Sequence, residues 1–95
     1  IRDSMNFEYD PAKSLKNLAK HGISFKKAQI LWNNEITEIK SKNSGNDDSR
    51  YLVFGKIDSK HWTAVITKRN NRIRIISVRR SRKKEEQYYE KHHKK

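Results

Sequence analysis

Cysteine is absent from this 95-residue chain, which excludes a disulfide framework, a thiolate metal site and a cysteine nucleophile. The chain has one proline and three glycines, and the glycines form no phosphate-binding loop. The Gly-x-Ser-x-Gly and His-Glu-x-x-His motifs of two hydrolase classes are also missing. No apolar run approaches the roughly 20 residues that a spanning helix needs, so the sequence does not predict a membrane protein.

Positive charge is the property that the chain has in excess. Its 23 Lys and Arg residues outnumber 11 Asp and Glu residues, which gives a formal net charge of +12. Residues 68–95 hold 12 basic and 3 acidic side chains, a net charge of +9, whereas residues 1–67 hold a net charge of +3. A basic surface of this kind attracts polyanions such as nucleic acids, although an acidic protein partner is an alternative.

The length predicts one small domain. Four residues, 1–4, precede Met5, which we interpret as the natural start after a remnant of cloning. We expect a single domain over residues 5–90 and a flexible basic tail over residues 91–95. No secretory signal is visible at the N-terminus, so the expected location is cytoplasmic.

Two helices are predicted to follow a short strand at residues 7–9. Asp10 before Pro11 is a helix start, and Gly22 is a left-handed helix end. Ser24 is the expected cap of a second helix. The expected buried faces are Ala12, Leu15, Leu18 and Ala19 in the first helix, and Phe25, Ala28, Leu31 and Trp32 in the second.

The remaining pattern predicts four strands, at residues 36–39, 51–57, 61–68 and 72–78, and a charged helix at 81–90. A polar loop is expected at 42–48, and tight turns at 58–60 and 70–71. Consecutive strands on short turns form an antiparallel meander. The predicted fold is therefore α+β, in the order β-α-α-β-β-β-β-α, with two helices packed on one face of an antiparallel sheet.

The strand at 72–78 changes its alternation half-way. Ile73 and Ile75 point to one face and Arg72 to the other, but the next apolar residues fall on the arginine face. Either a β-bulge switches the faces or both faces of the sheet are covered here. A bulge would re-aim Arg79 or Arg80, whereas the plainer alternative is a solvated arginine face.

Few side chains are candidates for proton transfer. His21 ends the first helix, where a capping or packing role is the commoner one. Glu85 and Tyr89 are four residues apart and share a face of the last helix, although such a face is often only solvated. His92 and His93 could bind a metal weakly, but they lie in a tail that provides no carboxylate geometry, so we predict no metal site and no cofactor.

Two motifs, in order, resemble those of one toxin family. KHGISF at 20–25 resembles the KHGIxF signature of the BrnT family, and FEYD at 7–10 resembles the family's opening. RIRIISVRR at 72–80 closely resembles the family's RIRIISARR strand. Arg50, Gly55, Glu85 and Tyr89 also fit the family pattern, so the resemblance covers residues 5–90.

The resemblance implies the toxin of a type II toxin–antitoxin system, with a small RelE-like fold and a ribonuclease activity that halts translation. A BrnA-type antitoxin would neutralise it, and the complex would bind its own promoter DNA through the antitoxin. The resemblance implies that Arg50, Arg79 and Arg80 hold phosphate. It assigns proton transfer to His21, Glu85 or Tyr89.

We therefore expect a metal-independent endoribonuclease, because RNA carries its own nucleophile in the 2′-hydroxyl. The predicted RNA-binding surface consists of Lys68, Arg69, Arg72, Arg74, Arg82 and Lys83. One alternative is a non-catalytic basic module that binds RNA or only an antitoxin. Another is an adaptor for an acidic protein.

Overall fold

The computed structural model describes residues 6–41 and 50–93, so the predicted loop at 42–48 and the remnant at 1–4 lie outside the described residues. The five strands are β1 (Asn6–Glu8), β2 (Thr37–Ser41), β3 (Arg50–Ile57), β4 (Lys60–Arg69) and β5 (Arg72–Arg80). The helices are α1 (Pro11–His21), α2 (Phe25–Ala28) and α3 (Lys83–His93), with a 3-10 helix at Gln29–Asn33 after α2.

The strands form one sheet in the order β1-β5-β4-β3-β2. The pairs β2–β3, β3–β4 and β4–β5 are antiparallel, which confirms the predicted α+β class and the meander. β1 runs parallel to β5, so the sheet is mixed and the prediction of a purely antiparallel sheet was wrong. The sequence pattern of β1 could not predict this pairing. The strand has only three residues, and its partner lies more than 60 positions away in the chain.

The second predicted helix is shorter than expected. It is regular for only the four residues of α2 and then tightens into the 3-10 helix. This tightening places Leu31 and Trp32 in the core, both almost fully buried. Gly55 allows the close approach, because a Cβ at that position would lie 2.9 Å from Cδ2 of Leu31.

The local signals around α1 and in the β4–β5 turn are confirmed. The N–H of Ala12 donates to Oδ1 of Asp10 at 2.9 Å, and Gly22 ends α1 with a φ of 79°. Asn70 and Asn71 form the turn with φ values of 45° and 67°. Asparagine tolerates this left-handed conformation better than most residues, which is why the pair was informative.

α1 is rotated relative to its predicted orientation. Its expected buried face is exposed, with Leu15 70% and Leu18 47% accessible to solvent. The buried residues of α1 are instead the polar Ser14 and Asn17. The prediction of an apolar contact between α1 and the sheet was therefore wrong.

Hydrogen bonds to the backbone explain the orientation of α1. Nδ2 of Asn17 donates to the carbonyls of Ile23 (2.8 Å) and Val78 (2.9 Å), and its Oδ1 accepts from the Val78 N–H at 3.2 Å. Oγ of Ser14 accepts from the Phe25 N–H at 2.9 Å. Because β1 pairs with β5 only as far as residue 74, the amide of Asn17 satisfies the edge of β5 beyond that point.

α3 packs on the face of the sheet opposite α1 and α2. Its Glu85, Tyr88 and His93 contact Thr63, Phe54 and Thr37 respectively. The helix ends at His93 rather than at residue 90, so residues 91–93 of the predicted tail are helical. Residues 94–95 lie outside the described part of the chain. Among the described residues, no helix is long and apolar enough to cross a membrane.

Candidate functional site

A β-bulge in β5 decides which arginines face the same way. Val65 pairs with Ser77 and Ile66 pairs with Ile75, so Ile76 is the extra residue. This confirms the first of the two interpretations of the change in alternation. After the bulge, Arg79 lies on the α3 side of the sheet, and Arg80 lies on the opposite side.

Three side chains form a row across the α3 side of the sheet. Thr67 of β4 pairs directly with Arg50 of β3 and with Arg74 of β5, and directly paired residues share a face. Arg69 and Arg72 pair at the end of the same strands. We call this surface the basic face: Arg50, Thr67, Arg69, Arg72 and Arg74. It lies about 13 Å along β4 from Thr63, where α3 is docked.

Thr67 is the central residue of this row and has an unusual environment. The residue is only 5% exposed, and its Oγ1 is a buried polar atom without a hydrogen-bond partner. A hydroxyl in this state costs about 1–3 kcal/mol of stability. Arg50 also has no hydrogen-bond or ion-pair partner among residues 6–41 and 50–93. The row therefore holds a hydroxyl without a partner next to a guanidinium that none of these residues neutralises.

A carboxylate stands at the edge of the basic face. Glu8 of β1 pairs with Arg74, and its two carboxylate oxygens accept from Arg74 at 3.4 Å and from Arg72 at 3.5 Å. Bonds of this length are weak, and both guanidinium groups remain partly exposed. The sequence did not single out Glu8, because its contacts depend on the parallel pairing of β1.

Arg79 and Glu85 form a closed pair at the start of α3. Two guanidinium nitrogens of Arg79 donate to the two oxygens of Glu85, each at 2.8 Å. The Arg82 N–H donates to the same carboxylate at 2.8 Å, and Oγ1 of Thr63 donates to it at 3.0 Å. The predicted residues Arg79 and Glu85 are therefore together, but they bind each other.

The electrostatics of this pair follow from its contacts. Burial by itself raises the pKa of Glu85, but hydrogen bonds from Arg79, the Arg82 N–H and Thr63 outweigh it and lower the pKa to about 2. The hydrogen bond to Glu85 raises the pKa of Arg79. A carboxylate with such low proton affinity is a weak general base, so this geometry suits positioning of α3 better than proton transfer.

The free energy of unfolding should depend on the pair of Arg79 and Glu85. We expect Glu85→Gln to destabilise the protein by on the order of 1–2 kcal/mol at neutral pH, because solvent screens part of a pair near the surface. The pKa of Glu85 is lower in the folded state (about 2) than its ordinary value of 4.5. The carboxylate therefore stabilises fully above roughly pH 5, and its contribution is lost as the pH falls towards 2.

Urea unfolding of the wild type and of Glu85→Gln at several pH values between 2.5 and 7 measures this contribution. We expect the difference in unfolding free energy to shrink as the pH falls. A difference that stays constant over this range would contradict the interpretation.

Arg80 and Lys68 lie on the opposite side of the sheet from the basic face. The guanidinium carbon of Arg80 lies 5.5 Å from the centre of the Trp62 ring, and its Nε donates to the His61 carbonyl at 3.2 Å. Lys68 donates to Glu38 at 2.6 Å. Arg80 therefore lies on the opposite side of the sheet from Arg79 and Arg50. Lys68 likewise lies on the opposite side from the other predicted RNA-binding residues of the strands.

Two other predicted RNA-binding residues lie at the start of α3. Arg82 and Lys83 are exposed there, beyond the Arg79–Glu85 pair rather than in the basic face. Of the six predicted residues, only Arg69, Arg72 and Arg74 therefore share the basic face.

His21 and Tyr89 lie in different parts of the protein, so they do not form one site. His21 lines a cavity of about 310 Å³ between α1 and the bulge, which Ile76 and Ser77 also line. Tyr89 is 6% exposed and donates to the Glu35 carbonyl at 3.0 Å. Burial raises the pKa of Tyr89, and the charges of Glu35 and Glu90 raise it further. These contacts make Tyr89 an anchor of α3 in this conformation.

The sequence missed a group of titratable side chains around Tyr89. Nε2 of His61 lies 2.7 Å from Oε2 of Glu90, and Nε2 of His93 lies 2.6 Å from Oγ1 of Thr37. The hydrogen bond from His61 lowers the pKa of Glu90. The only signal in the sequence was that Tyr89 and His93 are four residues apart, which places them on one face of a helix. The prediction of a flexible tail at residues 91–95 excluded His93 from that helix.

Comparison with models of protein families places this site in a known context. A family model described as "Ribonuclease toxin, BrnT, of type II toxin-antitoxin system" matches residues 9–85, which is most of the chain. The matched range includes the β-bulge and extends to Glu85. A search of curated proteins found no match.

Proposed function

This chain belongs to the BrnT family of ribonuclease toxins of type II toxin–antitoxin systems, and on this basis we propose that it is an endoribonuclease whose RNA substrate binds the basic face. The family implies an RNA substrate and an antitoxin partner. Our proposal adds that cleavage uses the 2′-hydroxyl of RNA as nucleophile, needs no metal ion and inhibits translation. It also adds neutralisation by a BrnA-type antitoxin, whose DNA-binding part takes the complex to its own promoter.

The observation that carries this proposal is the row of Arg50, Thr67 and Arg74. The outer strands of the row are about 10 Å apart, so two long guanidinium side chains can reach one phosphate from either side. Guanidinium groups bind phosphate oxygens through paired N–H groups. The hydroxyl of Thr67 has no partner but is buried, so a phosphate reaches it only after a neighbouring side chain of the basic face moves aside; the hydroxyl would then gain a phosphate oxygen as its acceptor.

The chemistry follows from the charges in this row. Attack of the 2′-oxygen on phosphorus places an additional negative charge on the phosphate oxygens, and Arg50 and Arg74 would stabilise it. The carboxylate of Glu8, which contacts Arg74, would accept the 2′-hydroxyl proton. The 5′-oxygen would leave with a proton taken from water, which leaves a 2′,3′-cyclic phosphate on the first product.

The other predicted catalytic residues have supporting roles in this proposal. Arg79 and Glu85 hold the start of α3 on the sheet, and Tyr89 anchors its second half. His21 lies beside the bulge that orients β5. A non-catalytic RNA-binding module is the second candidate, because Glu85 and Tyr89 are already engaged within the protein.

Incubation of the purified protein with total RNA in EDTA tests the function. We expect fragments that end in 2′,3′-cyclic phosphate, and no cutting at positions where the RNA carries a 2′-deoxyribose. If RNA stays intact, the same assay with ribosomes added tests a ribosome-dependent toxin. RNA that stays intact with ribosomes present, but binds with a strong dependence on salt, would favour the non-catalytic module.

Replacing Thr67 by valine separates stability from RNA binding. We expect the melting temperature to stay unchanged or to rise by a few degrees, because the variant removes a buried hydroxyl that has no partner. RNA affinity should fall by roughly 3- to 10-fold, since the phosphate would lose one hydrogen bond.

Thr63→Val is the matched control for this variant. Thr63 lies on the same strand and is also buried, but its hydroxyl contacts Ser81 and Glu85. This control should be destabilised without a direct loss of RNA affinity. Equal destabilisation of both variants, with RNA binding unaffected in Thr67→Val, would contradict a role for Thr67 in binding phosphate.

A further inference from the structure

The exposed side of α1 carries apolar residues that no described part of the protein covers. Leu15 is 70% exposed and Leu18 is 47% exposed, and Ala12 and Ala19 are exposed beside them. At helical spacing these residues form one continuous stripe, which we call the α1 stripe. Single exposed apolar residues are common, but a stripe along about two turns of a helix is typical of a docking surface.

The protein maintains this exposure by specific contacts. Turning the α1 stripe inward would require Asn17 to give up its bonds to Ile23 and Val78, and Ser14 to give up its bond to Phe25. Those backbone groups would then be buried without partners. The orientation of α1 is thus determined by its polar side, and its apolar side faces away from the described part of the protein.

The charges beside the α1 stripe indicate the chemistry of that molecule. Lys13, Lys16 and Lys20 are all exposed and follow one another along one border of the stripe. α1 contains no acidic residue. An apolar stripe with a lysine border complements an amphipathic helix that carries acidic residues next to its apolar face.

Other occupants fit this surface less well. A second copy of the chain in a two-fold contact would place the same lysines near each other, in a protein whose net charge is +12. RNA would use the lysines but would gain nothing from Leu15 and Leu18. An acidic amphipathic segment of a protein satisfies both parts of the surface.

We propose that the α1 stripe is the docking site for an acidic amphipathic helix of the antitoxin. This inference rests on the proposed function, because it takes the antitoxin as the partner. α1 packs on the side of the sheet opposite the basic face, so docking there and cleavage of RNA depend on different residues. The two activities can therefore be separated by substitution.

The test uses the full chain and the protein encoded by the reading frame adjacent to its gene, with affinity measured by calorimetry. We expect the double variant Leu15→Ser and Leu18→Ser to bind this protein about 10- to 100-fold more weakly, as loss of central apolar contacts does. Lys16→Glu should weaken binding most at low salt. Ile30→Ser is the matched control, because Ile30 is 40% exposed but lies outside α1.

The outcomes distinguish docking from the ribonuclease function. The double variant should keep the melting temperature and RNA cleavage of the wild type, since it changes exposed residues away from the basic face. If the wild type leaves RNA intact both with and without ribosomes but the double variant loses binding, the docking site stands and the ribonuclease proposal fails. Unchanged affinity in the double variant, or an equal loss in Ile30→Ser, would overturn the docking site.

Two further measurements test the other occupants. Sedimentation that shows a dimer of the wild type and a monomer of the double variant would assign the stripe to a second copy of the chain. Binding to vesicles of phosphatidylserine and phosphatidylcholine that the double variant loses would assign it to a lipid surface. Either result would overturn the proposal.

Discussion

Replacing Arg74 by alanine is expected to lower the rate of RNA cleavage by about 100-fold or more, and Arg50→Ala should have a similar effect. Removing one group that stabilises the charge of a transition state typically costs about 10²- to 10³-fold in rate. Arg50 and Arg74 lie on either side of Thr67, whose hydroxyl has no partner. We expect the loss to appear in the rate constant of single-turnover cleavage, with circular dichroism unchanged.

Arg80→Ala and Lys68→Ala are the controls for this prediction. Each removes one positive charge, as Arg74→Ala does, but both residues lie on the other side of the sheet. Their cleavage rates should stay within a few-fold of the wild type. If Arg80→Ala abolishes cleavage while Arg74→Ala preserves it, the reaction does not occur on the basic face.

Replacing Asn17 by alanine is expected to destabilise the protein by on the order of 3 kcal/mol, which lowers the melting temperature by roughly 10–20 °C. The variant would leave the Val78 N–H and the carbonyls of Val78 and Ile23 without their partner inside the protein. Each buried polar group without a partner costs about 1–3 kcal/mol. Thermal and urea unfolding measure the effect.

Leu15→Ala is the control on the same helix. If leucine packed into the core and asparagine faced solvent, as is usual, Leu15→Ala would lower stability more than Asn17→Ala. Leu15 is instead 70% exposed. We expect it to change stability by no more than about 0.5 kcal/mol. If Leu15→Ala destabilises the protein as much as Asn17→Ala does, the orientation of α1 described above is wrong.

α1 shows where the sequence is a sufficient guide and where it is not. Its ends follow from local chemistry, and Asp10 and Gly22 act as predicted. Its orientation depends on bonds from Asn17 to Val78, 61 residues away. Hydrophobic periodicity contains no information about such bonds, so the apolar stripe was assigned to the wrong side.

The same limit applies to the candidate site. The change in alternation along β5 predicted a bulge, and the bulge is there. The family resemblance grouped Arg79 with Arg80, whereas neighbours in a strand point to opposite faces. The row of Arg50, Thr67 and Arg74 could not be found without the register of three strands.

The place where RNA binds is the central claim, and chemical-shift mapping tests it most directly. A uniformly 2′-O-methylated RNA hexamer keeps its phosphates but cannot be cut, so it can be titrated into the ¹⁵N-labelled protein. We predict that the largest amide shifts occur in β3, β4 and β5 around Arg50, Thr67 and Arg74, and that Thr67→Val reduces them. Largest shifts around Trp62 and Arg80, or along α1, would contradict binding on the basic face.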